Sequence, residues 1–334
     1  MEISKIQEVL KNEPKYRYAQ VKQALFNGFV ENWNMATGLP KKLRELLQAT
    51  CPLDIKAEIS TSNDKNTVKA LMALLDGKFI ETVLMKHGSG RNTVCVSCHV
   101  GCPMGCKFCA TGIMGLIRKL SVDEIISQVL FFARYLNKTN ERVGSVVFMG
   151  MGEPFLNYEN VMQAIKIIQS QDGFGIGARH ISISTCGIFD GIKKLAQEDL
   201  PINLAISLHA SNDVVRRQLM PIAKTYTIKE LLKIVDDYIS KKNRKVMFEY
   251  LMLQGINDLD EHARELARLM KNRLCVVNLI EYNPTEKFTA SSHNRRNRFK
   301  DILEKNGVTT TMRYRFGQDI KGACGQLATN RNQL

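Results

Sequence analysis

Five of the chain's nine cysteines fall within fifteen positions of the stretch 95–120, CVSCHVGCPMGCKFCATGIMGLIRKL. Gly and Pro separate them, with no helical or strand period, so the stretch reads as a metal-binding loop. Two ligand sets compete. Cys95-x2-Cys98-x7-Cys106-x2-Cys109 makes two CxxC pairs, as in a zinc knuckle, and leaves Cys102 spare. Zinc ribbons separate their pairs by about 12 to 20 residues, so that each pair forms its own turn. The spacer here is shorter and holds a Pro and two Gly. The other set, Cys102-x3-Cys106-x2-Cys109, puts three thiolates on one compact loop, which suits a four-iron cluster with one iron left open to bind substrate. The cluster is the stronger reading.

Cys102-Pro-Met-Gly-Cys106-Lys-Phe-Cys109 resembles the CxxxCxxC motif of the radical S-adenosylmethionine (SAM) superfamily, including the aromatic Phe108 before the last cysteine. Further segments resemble one family within it, the RlmN/Cfr adenosine methyltransferases. They are CVSCHVGC, Met149-Gly-Met-Gly-Glu-Pro154, Ser207-Leu-His209, Met220-Pro221, Tyr282-Asn-Pro284 and Ala323-Cys-Gly-Gln-Leu327, in the family's order over about residues 81–328.

The resemblance implies a [4Fe-4S] cluster on Cys102, Cys106 and Cys109 whose open iron holds SAM. It places SAM contacts on Gly152, Glu153, Ser184, Ser207, Leu208, His209 and Asn283. Their chemistry fits, since a carboxylate accepts from the ligand ammonium while Ser and Asn suit its carboxylate and ribose. Two SAM molecules are implied per turnover, one as methyl donor and one as source of a 5′-deoxyadenosyl radical. Carbon 2 of adenine lies between two ring nitrogens and is too electron-poor to attack a methyl sulfonium. The family therefore methylates a cysteine first, here matching Cys324, makes a radical of that methyl group and adds it to the base. A second thiol, matching Cys95, resolves the covalent RNA adduct by forming a disulfide with Cys324, and Glu81 matches the proton acceptor. Taken alone, Cys324 is a spare thiol near a terminus and Glu81 a strand-edge carboxylate. Cys98 and Cys186 depart from the family pattern, which often has serine there, and Cys98 lies close enough to compete with Cys95. Cys51 and Cys275 read as buried small hydrophobes.

These residues need elements to hold them. From residue 92 onward β-type runs alternate with amphipathic helices: strands at 94–97, 145–149, 180–185, 202–208, 246–253, 275–282 and 309–315, with helices at 158–169, 187–197, 228–240, 260–270 and 297–305 between them. Ser121-Val-Asp-Glu124 is a capping box that opens a further helix. Such alternation implies parallel strands with right-handed crossovers, and sites at their C-terminal ends. The pattern leaves open whether the sheet curls; the resemblance implies an α/β fold, a partial (β/α)6 radical SAM barrel. In strand 202–208, Asn203, Ala205 and Ser207 share a face that should line the site, and Ser182 and Ser184 alternate likewise. Gly173-Phe-Gly-Ile-Gly177 looks like a nucleotide loop but precedes a strand, so it is set aside.

Residues 1–85 read as a small helical accessory domain with Trp33 in its core, ending in a strand at 79–85. A core domain follows over 86–320, and a segment 321–334 carries Cys324. The net charge of +14 suits a polyanionic partner such as RNA. Lys15, Arg17, Lys22, Lys41, Lys42 and Arg44, and the runs 241–245, 295–298 and 313–315 with Tyr314 as a stacking ring, are candidate RNA contacts, although such runs are more often solvated faces. No apolar run reaches the roughly 18 residues of a membrane span. The expected protein is a cytoplasmic, monomeric enzyme without a membrane. It would methylate carbon 2 of an adenosine in 23S rRNA, and one in tRNA near the anticodon, served by an electron donor such as flavodoxin or ferredoxin. The near alternative is Cfr-type methylation of carbon 8; remoter ones are a radical SAM activator of a protein and a non-catalytic zinc-ribbon RNA-binding protein.

Overall fold

The computed structural model describes residues 2–285, 287–328 and 330–332; positions 329, 333 and 334 of the C-terminal segment lie outside them. Helices Lys15–Phe26 and Lys41–Thr50 each begin directly after a proline, Pro14 and Pro40, whose fixed φ suits a helix start. They bury Leu25, Leu43 and Leu47 in the core that contains Trp33, whose indole N–H donates to the Cys51 carbonyl at 2.8 Å. Arg134, on the helix Val122–Asn137, ties this region to the rest by donating to the Leu53 carbonyl at 2.9 Å and to that of Val30.

The helical reading of residues 1–85 holds only for its first part. Strands β1 (Ala57–Thr61), β2 (Thr67–Ala73) and β3 (Phe79–Lys86) form an antiparallel meander, with Asp76-Gly77 turning between β2 and β3 at a Gly77 φ of +78°. β3 then pairs antiparallel with β4 (Asn92–Cys95) across the turn at Gly88 and Gly90. Residues 85 and 86 therefore lie inside one strand of one continuous sheet. The periodicity of 57–73 is obscured because β1 is an edge strand with both faces mostly in solvent.

After β4 come a short ribbon of β5 (His99–Gly101) and β6 (Leu116–Lys119), then β7 (Ser145–Phe148), β8 (Ile181–Thr185), β9 (Asn203–Ser207), β10 (Val246–Met252), β11 (Cys275–Glu281) and β12 (Thr310–Met312). The ten-stranded sheet runs β1-β2-β3-β4-β7-β8-β9-β10-β11-β12, parallel from β4 onward. Chain order equals spatial order, so each right-handed crossover returns its helix to the same face and the sheet curls around the other. β1 and β12 do not pair, which leaves the partial barrel the resemblance implied. Helix Val122–Asn137 starts at the Ser121–Glu124 capping box as read. A helix the periodicity did not reveal, Asp213–Leu219, is too short to show one. No helix among the described residues is long and apolar enough to cross a membrane.

Candidate active site

The cysteine loop sits between β5 and β6. Gly101 has φ +80°, and a Cβ there would lie 1.9 Å from the Gly115 carbonyl oxygen, so only glycine closes the ribbon that brackets the loop. Cys102 and Cys106 are buried and Cys109 is half-buried. Burial pushes the Cys102 thiol up to about 12 and the Cys106 thiol well up, and each is raised further by the neighbouring thiols of the trio and by Glu153. The sulfur of Cys102 meets the backbone N–H groups of Met104 and Gly152.

The residues expected to hold SAM gather at the C-terminal ends of β7 to β11. Gly152, at φ +108°, lies so close to His99 that a Cβ would come within 2.4 Å of its Nδ1. Glu153 is buried and bridges two strand ends, accepting from Phe155 N–H at 3.1 Å and Cys186 N–H at 2.8 Å; burial raises its pKa. Ser184 and Ser207 stand 3.2 Å apart, Oγ to Oγ. Leu208 and His209 donate their N–H groups to the Glu249 carbonyl at 3.1 and 3.2 Å. His209 has φ +57°, its Nδ1 accepts from Leu251 N–H at 3.0 Å, and its ring meets Phe108 edge-on at 4.8 Å. Burial lowers its pKa to about 3, so it is a neutral imidazole with the proton on Nε2. Asn283 is engaged elsewhere as well, donating to the Cys324 carbonyl at 3.2 Å.

Cys95 and Cys324 line one cavity of about 440 Å³ inside the barrel. Strand register builds its wall: Val83, Cys95, Val147, Ser182 and Asn203 stand side by side on β3, β4, β7, β8 and β9, facing inward. Of the residues the alternation placed on the site face, Ser182 and Asn203 line this cavity, whereas Ser184, Ala205 and Ser207 do not. The cavity reaches the opposite end of the strands from the cysteine loop, because its exposed lining residues Arg91, Arg179 and His180 immediately precede β4 and β8. Burial drives the Cys95 thiol to about 12, with Cys324 adding to the rise and Arg313 opposing it. Cys324 is open to the cavity, yet the protein around it still raises its thiol pKa, again against Arg313.

The chain after β12 closes the open side of the barrel. Phe316 reaches the ring of His87 at 5.0 Å; Asn63 N–H donates to Asp319 at 2.8 Å; Lys69 donates to the Lys321 carbonyl at 3.4 Å. Ala110 N–H, just past Cys109, donates to the Gly325 carbonyl at 2.8 Å and sews the Cys324 turn to the cysteine loop. Glu81 does not line the cavity. Its Oε1 pairs with Lys69 at 2.8 Å and its Oε2 accepts from Ala328 N–H at 2.7 Å, so it clamps this segment onto β3. Burial raises its pKa against Lys69.

Residues 96–270 match the Radical SAM superfamily. A probable dual-specificity RNA methyltransferase RlmN of Dictyoglomus turgidum is 44% identical over 330 residues, covering 98% of this chain and 94% of that protein. The chain belongs to the RlmN family of radical SAM proteins. A Nitrosopumilus maritimus relative named ribosomal RNA large subunit methyltransferase N is 44% identical over 326 residues, 95% of this chain and 93% of its own. The solved structure of a radical SAM methyltransferase from Sphaerobacter thermophilus superposes with a TM-score of 0.93 at 42% identity, covering 97% of this chain and 96% of that one.

Membership in the radical SAM superfamily implies SAM and a [4Fe-4S] cluster, and the residues of this RlmN-family chain fit both. Arg216 is fully buried and donates to the carbonyls of Cys186 at 2.8 Å and Leu208 at 3.3 Å, with no carboxylate in ion-pair range among the described residues. Burial lowers its pKa, and the Cys186 and Cys106 thiols lie close enough to oppose that fall when ionised. A cluster held by the Cys106 thiolate would supply the countercharge such a guanidinium needs. The zinc-ribbon set is not assembled: among the described residues no three His, Cys, Asp or Glu side chains converge on one ion, whereas a four-iron cluster takes each thiolate on a separate iron. Cys98 faces His99 Nδ1 at 3.2 Å and is absent from the cavity wall, which leaves Cys95 as the inward thiol.

Sequence reasoning missed Glu249. It is buried beside Ser207 and Asn278 in register, pairs through Oε1 with Asn278 at 2.9 Å and Arg313 at 3.3 Å, and leaves Oε2 buried without a hydrogen bond. A lone acid within the apolar run VMFEYLM, at the inward parity of Met247, was the available signal. Of the N-terminal cations, Lys22 is bound to Asp172 at 2.5 Å and Arg44 to the Asn34 carbonyl at 2.8 Å.

Proposed function

We propose that this chain methylates carbon 2 of an adenosine in 23S rRNA, and of an adenosine in tRNA, through a methyl group carried on Cys324. The observation that supports this best is the single cavity lined by both Cys324 and Cys95, with Cys324 stitched to the cysteine loop. Cys102, Cys106 and Cys109 would hold the cluster, which when bound supplies the electron that splits SAM. Gly152, Glu153, Ser184, Ser207, Leu208, His209 and Asn283 are read as the pocket that holds and orients SAM. The Cys324 thiol gives up its proton, aided by the Arg313 cation that favours the thiolate, and its sulfur would take the methyl group of a first SAM, whose methyl–sulfonium bond breaks to leave S-adenosylhomocysteine. That methyl loses a hydrogen atom to the deoxyadenosyl radical and bonds to carbon 2 of the base. Glu81 is the carboxylate read as accepting a proton. With that proton lost from carbon 2, the Cys95 thiolate attacks the Cys324 sulfur, and the sulfur–methylene bond breaks toward the base, which takes up a proton to complete its methyl group. The one surplus electron would return to the cluster, leaving the Cys95–Cys324 disulfide and the methylated base. An outside thiol reductant restores the pair, and a flavodoxin or ferredoxin feeds the cluster. The target base must be unstacked to enter such a cavity, so looped RNA is the substrate form. We also read the protein as a cytoplasmic monomer.

Mass spectrometry of RNA incubated with the anaerobically reconstituted protein and SAM tests it. The expected product is 2-methyladenosine, lost in Cys324→Ala. A carbon-8 product assigns the Cfr-type reaction, and methylation that survives Cys324→Ala overturns the carrier role.

A further inference from the structure

Three aromatic rings stand in a row at the cavity rim. Tyr314 is 69% exposed and meets Phe316 edge-on, with centroids 4.9 Å apart and planes at 67°. Phe316 meets His87 in the same way at 5.0 Å and 70°. His87 is itself fixed, since its Nε2 is 3.0 Å from Thr93 Oγ1, which lies 2.7 Å from Ser145 Oγ. All these residues line the cavity that holds Cys324 and Cys95. Around the same rim, Arg91 and Arg179 are exposed and neither is in ion-pair range of a carboxylate among the described residues. Arg315 is committed to Glu281 at 2.9 Å.

We infer that Tyr314, buttressed by Phe316 and His87, is a stacking platform for a nucleobase next to the target adenosine, with Arg91 and Arg179 meeting the adjoining phosphates. The inference rests on the reading that RNA is the substrate. A base drawn into the cavity leaves its neighbour with one face unstacked, and that face is what an exposed ring at the entrance can cover. Free cations flanking a ring suit a strand of bases and phosphates. They do not suit a protein partner, which needs roughly 800 Å² of contact on each side. Because the ring already rests on Phe316, which His87 backs in turn, little side-chain freedom is lost when a base settles on it.

The test uses the full-length holoenzyme and a fluorescein-labelled tRNA anticodon stem-loop with the target adenosine in its loop. Abasic nucleotides are placed singly at the two positions on either side of that adenosine. Tyr314→Ala is expected to raise the Kd about 5- to 150-fold, the worth of one base–aromatic stack, while Tyr314→Phe keeps the wild-type value. One abasic position should weaken wild type by the same factor and have no further effect on Tyr314→Ala, the coupling that marks a direct contact. Melting temperature and iron content of each preparation verify that the variants are folded and loaded. If every abasic position weakens both proteins equally, or Tyr314→Ala binds as wild type does while the RNA is still methylated, the platform is refuted and the RNA reading stands. An RNA that wild type neither binds nor methylates overturns both.

Discussion

Replacing Glu81 by Ala and by Gln separates two jobs given to this carboxylate, clamping the C-terminal segment and accepting a proton. Lys69 Nζ lies 2.8 Å from Oε1, with side-chain exposures of 14% and 5%. Removing one member of a buried pair costs about 3–5 kcal/mol, and the residual exposure of Lys69 puts Glu81→Ala at the lower end. The Ala328 N–H, 2.7 Å from Oε2, loses a charged acceptor. Such a bond is worth about 1.5–3 kcal/mol, so exchange of that amide should quicken by roughly 10- to 150-fold. Gln keeps a neutral oxygen for the same N–H, and the loss shrinks to about 1 kcal/mol, or fivefold. Hydrogen-exchange mass spectrometry of the C-terminal peptide reads the clamp. The intact mass of the protein after incubation with SAM reads methylation of Cys324. The clamp predicts that exchange rises and Cys324 methylation falls together in Glu81→Ala, and that both recover in Glu81→Gln. Proton acceptance predicts that Glu81→Gln methylates Cys324 normally yet forms no methylated RNA. Glu81→Ala with wild-type exchange at Ala328 would falsify the clamp, whatever happens to activity.

Cys95→Ala should leave RNA covalently attached to the protein, seen as a band that survives denaturing electrophoresis, whereas Cys98→Ala, whose thiol is turned toward His99, should turn over and lose only about 1 kcal/mol of stability; the reverse pattern would exchange their roles. Since only the thiolate attacks, and the Cys324 thiol is raised above its ordinary value, its methylation rate should climb about tenfold per pH unit from neutrality upward. Arg313→Gln removes the cation that opposes the rise, so the profile should move to higher pH, and a flat profile in single-turnover assays refutes the thiolate step. Gly152→Ala places a Cβ 2.4 Å from His99 Nδ1 at φ +108° and should abolish SAM binding in equilibrium dialysis, whereas Gly77→Ala, at φ +78° with nothing within 4 Å, should cost only the backbone strain of about 1–2 kcal/mol.

The parallel strands and most of their helices were readable from 92 to 315. The longer helices bury one face and write its period into local sequence, while the strands, several buried on both faces, stand out as short apolar β-type runs between them. The cysteine loop was readable because its ligands are neighbours in the chain. What was not readable depends on distant pairings. β1 gives little alternation because both its faces meet solvent, and nothing local to β3 says that it will pair with β4 and carry the N-terminal region into the barrel wall. Glu249 is visible as an acid in an apolar run, but its unfilled oxygen follows from Asn278 and Arg313 arriving on β11 and after β12. Glu153 and Asn283 were placed by resemblance among SAM contacts. The structure shows them also holding backbone, Glu153 between two strand ends and Asn283 on Cys324.

These backbone contacts bear on how the Cys324 segment is held. In the proposed mechanism the Cys324 thiol would meet SAM beside the cysteine loop and a base in the lumen, and its backbone is held from both sides. Three hydrogen bonds do this from different walls: Ala110 to Gly325 from the cysteine loop, Asn283 to Cys324 from the end of β11, and Ala328 to Glu81 from β3. Gly325, at φ +82°, supplies the turn between the first two anchors, where a Cβ would already touch the Phe108 carbonyl at 3.4 Å. With these anchors in place, the open edge between β12 and the meander becomes the wall that carries the thiol. A barrel closed by direct pairing of its edge strands would leave no room for that wall. The antiparallel meander, invisible as a unit in the sequence, therefore gives the Cys324 segment the surface it lies against.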